Sequence, residues 1–434
     1  MDSQSIYQKN FAVIALKWPQ LADLIDALVV DFDRFELLQG NNAALVCDGM
    51  QINSSYDSDA EAQIIVSQIP ENAKHVHVYG VGSGQVIERL LKANKNVTAY
   101  IFDLMLFKVT LQVFSCQHWL AEEKLQLTLA KNRRHVTKPF VAIPAELMVC
   151  EEAAATLRDR VTLELDSQYV AQETCFENPE LKQRIEPNLT LLASDNDITA
   201  YPLPTDKLCV VAAAGPTLSF HMDWLKAMQA NDNIVLIAVD AAVKPLYHQR
   251  IKPDLIVSID RIGGDLFGEI DRAFYADIPL LYFPLLDHDF IKQWTGKRYV
   301  SFSTGQSFNP LSEHANKTRL YSGGSVIHPS IDAAVKLGAK EVLLLGADFS
   351  FINEKRHAEH TQQFSHFNPL APKDCKHWVL NGYGERNPTY LNYRGYLRDL
   401  EHYIELHPDV IFYNGSKIGA NISGTQVWPE FDNG

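Results

Sequence analysis

From Cys209 onward the chain repeats one unit, a short apolar run without polar alternation followed by a segment of helical length and amphipathic spacing. The runs are CVVAAAG, NIVLIAVD, DLIVSID, PLLYFPL, RYVSFS and EVLLLGADF, and the segments between them include TLSFHMDWLKAMQAN, AAVKPLYHQR and VIHPSIDAAVKLG. A strand that is apolar on both faces must be covered on both faces, which predicts a doubly wound, mainly parallel α/β sheet. Such a sheet gathers its polar chemistry beyond the carboxyl ends of its strands. Here those ends carry Gly215-Pro216-Thr217, Asp240, Ser258 with Asp260, and Gly346 with Asp348, so the pattern predicts one polar rim around one crevice. After the last run, PTYLNYRGYLRDLEHYIELH (Pro388 to His407) reads as a long helix, VIFYNGS as a strand and GANISGT as a glycine-rich finish.

A second α/β unit precedes this one. HVHVYGVGSG (His75 to Gly84) reads as a strand entering a glycine-rich turn, QVIERLLKAN as the helix after it, and VTAYIFD (Val97 to Asp103) as the next strand. The polar, proline-bearing stretch from Glu177 to Asp206 reads as a linker. The expected organisation is an N-terminal domain with a Rossmann-like unit over 1–195 and a catalytic α/β domain over 196–434.

Charge and composition exclude several classes of function. With 434 residues, 46% of them apolar, the chain is long enough for large cores in two domains or more, yet no apolar run is long enough to span a bilayer. A net charge of -14 opposes general binding to nucleic acid or an anionic membrane, because both require a positive field. The cysteines Cys47, Cys116, Cys150, Cys175, Cys209 and Cys375 form no C-x-x-C pair, and the opening MDSQSIYQKN lacks a basic-then-apolar leader. The expectation is a cytoplasmic protein with neither a disulfide framework nor structural zinc.

The stretch VAAAGPTLSF poses the sharpest chemical question. Glycine at a strand end allows close approach to the backbone, Pro216 suits the first turn of a helix, and the N–H groups there face outward at the positive end of the helix dipole. Thr217 adds a hydroxyl. The motif is therefore either an anion cradle or an ordinary βα turn, and acids such as Asp240 and Asp260 on the same rim suit sugar hydroxyls. Asp287-His288-Asp289 is a D-x-D of the kind that holds a divalent metal under a nucleotide sugar, but YDSDAE near Asp57 repeats the pattern by chance. The YGVGSG turn with Asp103 closing the next strand resembles a methyltransferase nucleoside site. No methyl-acceptor constellation follows it, so it reads as a structural or acceptor-docking unit.

The order AAGPTL, IAVDAAVKPL, IKPDLIVSID and SGGSVIHPSIDAAVKLGAKEVLLLGADFSF resembles the central domain of the motility accessory factor (Maf) family of flagellin glycosyltransferases, over roughly Lys207 to Thr425. The SGGSV-helix-LGAKEVLLLGADF segment is also similar to bacterial sialyltransferases that use CMP-sialic acid, and Maf proteins carry a Rossmann-like domain ahead of the catalytic one. The resemblance implies transfer of a nonulosonic acid, of pseudaminic, legionaminic or sialic type, from its CMP conjugate to Ser or Thr of flagellin, in support of flagellum assembly and motility. It implies no cofactor beyond the CMP-activated donor, and no metal. Gly215, Pro216, Thr217, Ser322, Gly323 and Gly324 would cradle the phosphate, with Asp240, Asp260 and Asp348 on the same rim. The sialyltransferases place tyrosines just after the DF pair. Here Ser350 and then Glu354-Lys355-Arg356 follow, so Arg356 would take over the leaving phosphate. For the base that receives the acceptor's proton, His357 matches a His-Ala pair that the family carries after this strand, and His377 lies nearer the sialyltransferase position. Two other functions share parts of the pattern: a pyrophosphokinase like the archaeal 6-hydroxymethylpterin diphosphokinases of the MptE type, and a non-catalytic flagellin-binding adaptor.

Overall fold

A computed structural model describes residues 3–173, 179–259, 264–353, 355, 357–358 and 377–431. The chain divides into two compact units, Met1–Ser167 and Gln168–Gly434.

In the first unit β1 (Phe35–Gln39), β2 (Ala43–Cys47) and β3 (Met50–Gln51) form an antiparallel meander. The strands β4 (His75–Tyr79), β5 (Asn96–Ile101), β6 (Leu125–Leu129) and β7 (Phe140–Ala142) form a parallel sheet in the order β6-β5-β4-β7. The expected Rossmann-like alternation is present, because the helix Gln85–Lys92 turns Val86, Ile87, Leu90 and Leu91 inward and so covers β4 and β5. Ile14, Leu21 and Ile25 from the two opening helices join that face. Tyr79, Tyr100, Phe102, Leu157 and Val161 fill the other.

The second unit is built on β8 (Asn196–Asp197), β9 (Leu208–Ala212), β10 (Ile234–Val239), β11 (Leu255–Ser258), β12 (Leu280–Tyr282), β13 (Arg298–Val300), β14 (Phe302–Ser303), β15 (Arg319–Leu320), β16 (Glu341–Leu345), β17 (His377–Leu380), β18 (Arg386–Thr389), β19 (Ile411–Asn414) and β20 (Gln426–Val427). Nine of these pair in parallel in the order β20-β19-β16-β9-β10-β11-β12-β13-β8, among the described residues. All six residues of β10 are buried, as expected of a central strand with a core on each face. β14 and β15 pair in parallel, and β17 and β18 form an antiparallel hairpin.

Three local expectations change. RYVSFS is not one strand: Ser301 is fully buried, gives its hydroxyl to the Thr318 carbonyl, and parts β13 from β14, which lies in a different sheet. The helix expected from Pro388 begins at Leu391, because Pro388 and Thr389 pair with Trp378 and His377 in the hairpin. The stretch read as a linker contains the helices Pro179–Ile185 and Leu189–Ser194, whose Ile185 and Leu192 are fully buried in the core of the second unit.

Candidate functional site

Parallel strands put their carboxyl ends on one side, and in the second unit those ends open into a cavity of about 580 Å³. Ala213, Ala214 and Gly215 after β9, Val239 at the end of β10 with Asp240 after it, Ile259 after β11, and Gly346 to Ser350 after β16 line it. Ser322, Gly324 and Ser325 ahead of the helix Ile327–Lys336 line it too, with His357. Of the rim and cradle read from the sequence, Gly215, Asp240, Ser322, Gly324, Gly346 and Asp348 line this one crevice, joined by the candidate base His357, whereas Ser258 does not line it. Asp260 and Arg356 lie outside the described residues.

Gly215 begins a 3-10 turn, Pro216–His221, that runs into the helix Met222–Ala230. Its N–H donates to the Gly346 carbonyl at 2.8 Å. A Cβ at Gly215 would meet that same carbonyl oxygen at 2.3 Å and the Asp348 carboxylate at 2.5 Å. Glycine is therefore demanded here by the protein's own packing. Thr217 was expected to face a ligand, and it does not. It is fully buried, its N–H donates to Asp348 Oδ2 at 2.8 Å, and its hydroxyl donates to Asp348 Oδ1 at 2.6 Å. Neither Pro216 nor Thr217 lines the cavity. The anion held by the GPT turn is the side chain of Asp348.

Burial pushes the Asp348 carboxyl up to about 6, against the opposing pull of the two Thr217 donors. Asp240, the first residue of the helix Asp240–His248, accepts the Ser258 hydroxyl at 2.8 Å and the Ala241 N–H at 2.8 Å. Both acids are thus nearly buried supports of the rim, with a small surface toward the cavity.

The Ser322-Gly323-Gly324 loop is held by a histidine that sequence reasoning missed. His328 is buried, accepts the Gly323 N–H at Nδ1 (3.2 Å), and has Nε2 3.0 Å from the Tyr396 carbonyl oxygen. The pair of contacts assigns the proton to Nε2. Gly323 itself does not line the cavity. Asp332 supports the same loop, accepting the Tyr321 N–H at 2.6 Å and the Tyr403 hydroxyl at 2.9 Å.

His357 is set beside the turn by its neighbour, since the Ala358 N–H donates to the Ala214 carbonyl at 2.8 Å. His377 opens β17 and does not line the cavity. The remaining wall, also missed, is made of Phe283, Phe308, Phe349, Tyr393 and Tyr396, with hydroxyls from Ser303, Ser307 and Ser350. Among the described residues neither lysine nor arginine lines the cavity. An anionic ligand would therefore rely on serine hydroxyls and on backbone N–H groups at the starts of the helices Asp240–His248 and Ile327–Lys336.

The glycine-rich turn of the first unit repeats this device. Val81 N–H lies 3.0 Å from both oxygens of Glu146, and the Gly82 N–H donates to Oε1 at 2.5 Å. Burial pushes Glu146 up to about 7. Asp103 caps the helix Leu104–Val113 through the Leu106 N–H and pairs with Arg34 at 2.8 Å. Both groups that a nucleoside would need are engaged within the unit. Asp287 of the D-x-D likewise caps a helix, accepting the Phe290 N–H at 2.8 Å.

Residues 183–354 match the family model described as 6-hydroxymethylpterin diphosphokinase MptE-like. That segment is similar to the family and spans less than half of the chain. Within it lie Gly215, Asp240, Ser322, Gly324 and Asp348, whereas His357, Tyr393 and Tyr396 follow its last matched residue. The matched segment thus supplies the floor and rim of the cavity, and the C-terminal helix Leu391–Glu405 supplies the tyrosine wall. No curated protein matches the sequence. Among solved structures, the chain is similar to a Maf glycosyltransferase from Magnetospirillum magneticum at 12% identity and a TM-score of 0.49, over 99% of this chain and 75% of that one.

Proposed function

We propose that the chain is a glycosyltransferase whose cavity binds a CMP-activated nonulosonic acid and passes the sugar to a serine or threonine hydroxyl of flagellin, in support of motility. The observation that carries this reading is the convergence of Gly215, Asp240, Ser322, Asp348 and His357 on one cavity of about 580 Å³, within the range of small-molecule sites. The sequence resemblance to Maf proteins and CMP-dependent sialyltransferases supplies the donor and the acceptor. In the transfer, the acceptor oxygen bonds to the anomeric carbon, the bond from that carbon to the CMP phosphate breaks, and CMP departs. His357 receives the acceptor's proton as the new bond forms. The serine hydroxyls and helix N-termini hold the phosphate, and Asp348 keeps the Gly215 turn in shape. The donor alone suffices for this chemistry, and the expected setting is the cytoplasm, where flagellin is made.

A second reading is favoured by the description of the matched family model, namely pyrophosphoryl transfer to a pterin. A thermal-shift panel separates the two. Stabilisation by CMP supports the glycosyltransferase, and stabilisation by ATP with magnesium supports the pyrophosphokinase. A response to neither ligand would overturn both and leave a flagellin-binding adaptor.

A further inference from the structure

The chain leaving β16 turns through a corner that is costly for its sequence. Gly346 has φ +66° and Phe349 has φ +46°. Glycine enters the left-handed region freely, but a bulky side chain does so against a steric penalty. Contacts from β18 and its neighbours hold Phe349 there. Its carbonyl accepts the buried Thr389 hydroxyl at 2.5 Å, the Phe351 N–H donates to the Pro388 carbonyl at 2.8 Å, and the Ser350 hydroxyl donates to the Asp348 carbonyl at 3.0 Å. Strain maintained by several independent bonds at the edge of a cavity marks a residue whose placement matters for function.

The ring of Phe349 is half-buried and lines the cavity. Neighbouring rings satisfy one another: Phe351 with Tyr390 at 4.8 Å, Tyr390 with Tyr393 at 5.8 Å, and Tyr393 with Tyr396 at 6.1 Å. Phe349 packs in part against the core of the second unit, and among the described residues it enters no stacked or edge-on ring pair.

We propose that Phe349 is a stacking wall for a planar heteroaromatic ring, held in a strained backbone conformation so that its face stays presented to the cavity. This rests on the reading of the cavity as a site for a nucleotide-type ligand. The ring stacked would be the pyrimidine of CMP, or a purine or pterin if the second reading holds. Aromatic stacking tolerates any of these bases, because every base has a π-face.

The test compares the full chain with F349A, F349G and F349Y, measuring affinity for CMP, for ATP with magnesium and for 6-hydroxymethylpterin by calorimetry, together with the melting temperature without ligand. F349A and F349G should each weaken the compound that the native chain binds by about tenfold, and F349Y should stay within about twofold. F349G should melt above F349A by about 2 °C, because glycine relieves the left-handed strain that alanine retains. CMP binding unchanged by F349A would overturn the stacking role and leave the glycosyltransferase reading standing. Binding of pterin or ATP but not CMP, weakened by F349A, would keep the stacking role and remove the CMP donor. Equal losses in F349Y and F349A, or no native binding to any of the three, would overturn the proposal. A melting temperature of F349G no higher than that of F349A would overturn its strained-backbone part.

Discussion

Asp348 receives both the backbone N–H and the hydroxyl of Thr217, at 2.8 and 2.6 Å, across 131 residues of sequence. A turn shaped to hold an anion is occupied by an anion of the same chain, and Glu146 on Val81 and Gly82 is its counterpart in the first unit. In each case a carboxylate that burial should neutralise is fixed by two or more donors, so the turn and the acid depend on each other.

Removing the acid should therefore unfold the turn before it affects any ligand. Asp348→Ala leaves two buried donors of Thr217 unanswered and is expected to destabilise the second unit by about 2–4 kcal/mol in urea denaturation. Thr217→Val removes one donor and should cost about 1–2 kcal/mol, and the double variant should cost less than the sum of the two. Strict additivity would mean that the pair is not coupled.

The same burial makes stability fall with rising pH. Glu146 is pushed up to about 7 and Asp348 to about 6, both above their ordinary values near 4, so between about pH 4 and pH 7 the folded chain binds more protons than the unfolded one. This contribution is complete below about pH 4 and lost as pH rises through 6 to 7. Glu146→Gln should remove the part belonging to the first unit, so its stability relative to the native chain should improve between pH 5 and pH 8 by an amount on the order of 2 kcal/mol. A constant difference across that range would show that Glu146 titrates as an ordinary carboxyl.

Gly215 and Gly384 offer a contrast that separates crowding from backbone freedom. A Cβ at Gly215 would strike the Gly346 oxygen at 2.3 Å, whereas at Gly384 (φ +79°) nothing lies within 4 Å. Gly384→Ala should cost only the left-handed penalty, about 1 kcal/mol. Gly215→Ala must move the Gly346 carbonyl and the Asp348 carboxylate, and should cost about 2–4 kcal/mol. Thermal melts of the two variants decide it, and equal losses would show that the β9–β16 corner yields easily.

The sheet was legible because an unalternating apolar run has few other places to go, and β9, β10, β11, β12 and β16 fall where those runs stand. The rim was legible for the same reason, since parallel order fixes which end of each strand faces the cavity. What fills the GPT turn was not legible, because it depends on a contact over 131 residues and Asp348 looks alike as a ligand group or as a brace. His328 was hidden inside a helix-like run, although a histidine in the first turn after SGG was a usable signal. Tyr393 and Tyr396 fall in a segment that reads only as a long helix, and a helical pattern alone does not mark half-buried tyrosines as the wall of a cavity. The helices at Pro179–Ile185 and Leu189–Ser194 were too short to leave a periodic trace beside Pro187 and the polar residues around it.

The choice between two histidines gives the most direct test of the proposed chemistry. His357 lines the cavity beside the Ala214–Gly215 corner, and His377 sits on β17 away from the lining. A general base must reach the acceptor hydroxyl, directly or through one water, and contributes roughly 10²–10⁴-fold to the rate. His357→Ala should therefore lower sugar transfer to co-expressed flagellin by about that factor, read by intact mass, while the affinity for CMP stays within about twofold. His377→Ala should leave both close to native. Loss of transfer in the His377 variant alone would move the base to β17 and require that hairpin to approach the cavity during turnover. Full transfer by both variants would mean that the acceptor proton leaves by a route without histidine, with Asp348 the next carboxyl on the cavity wall to receive it.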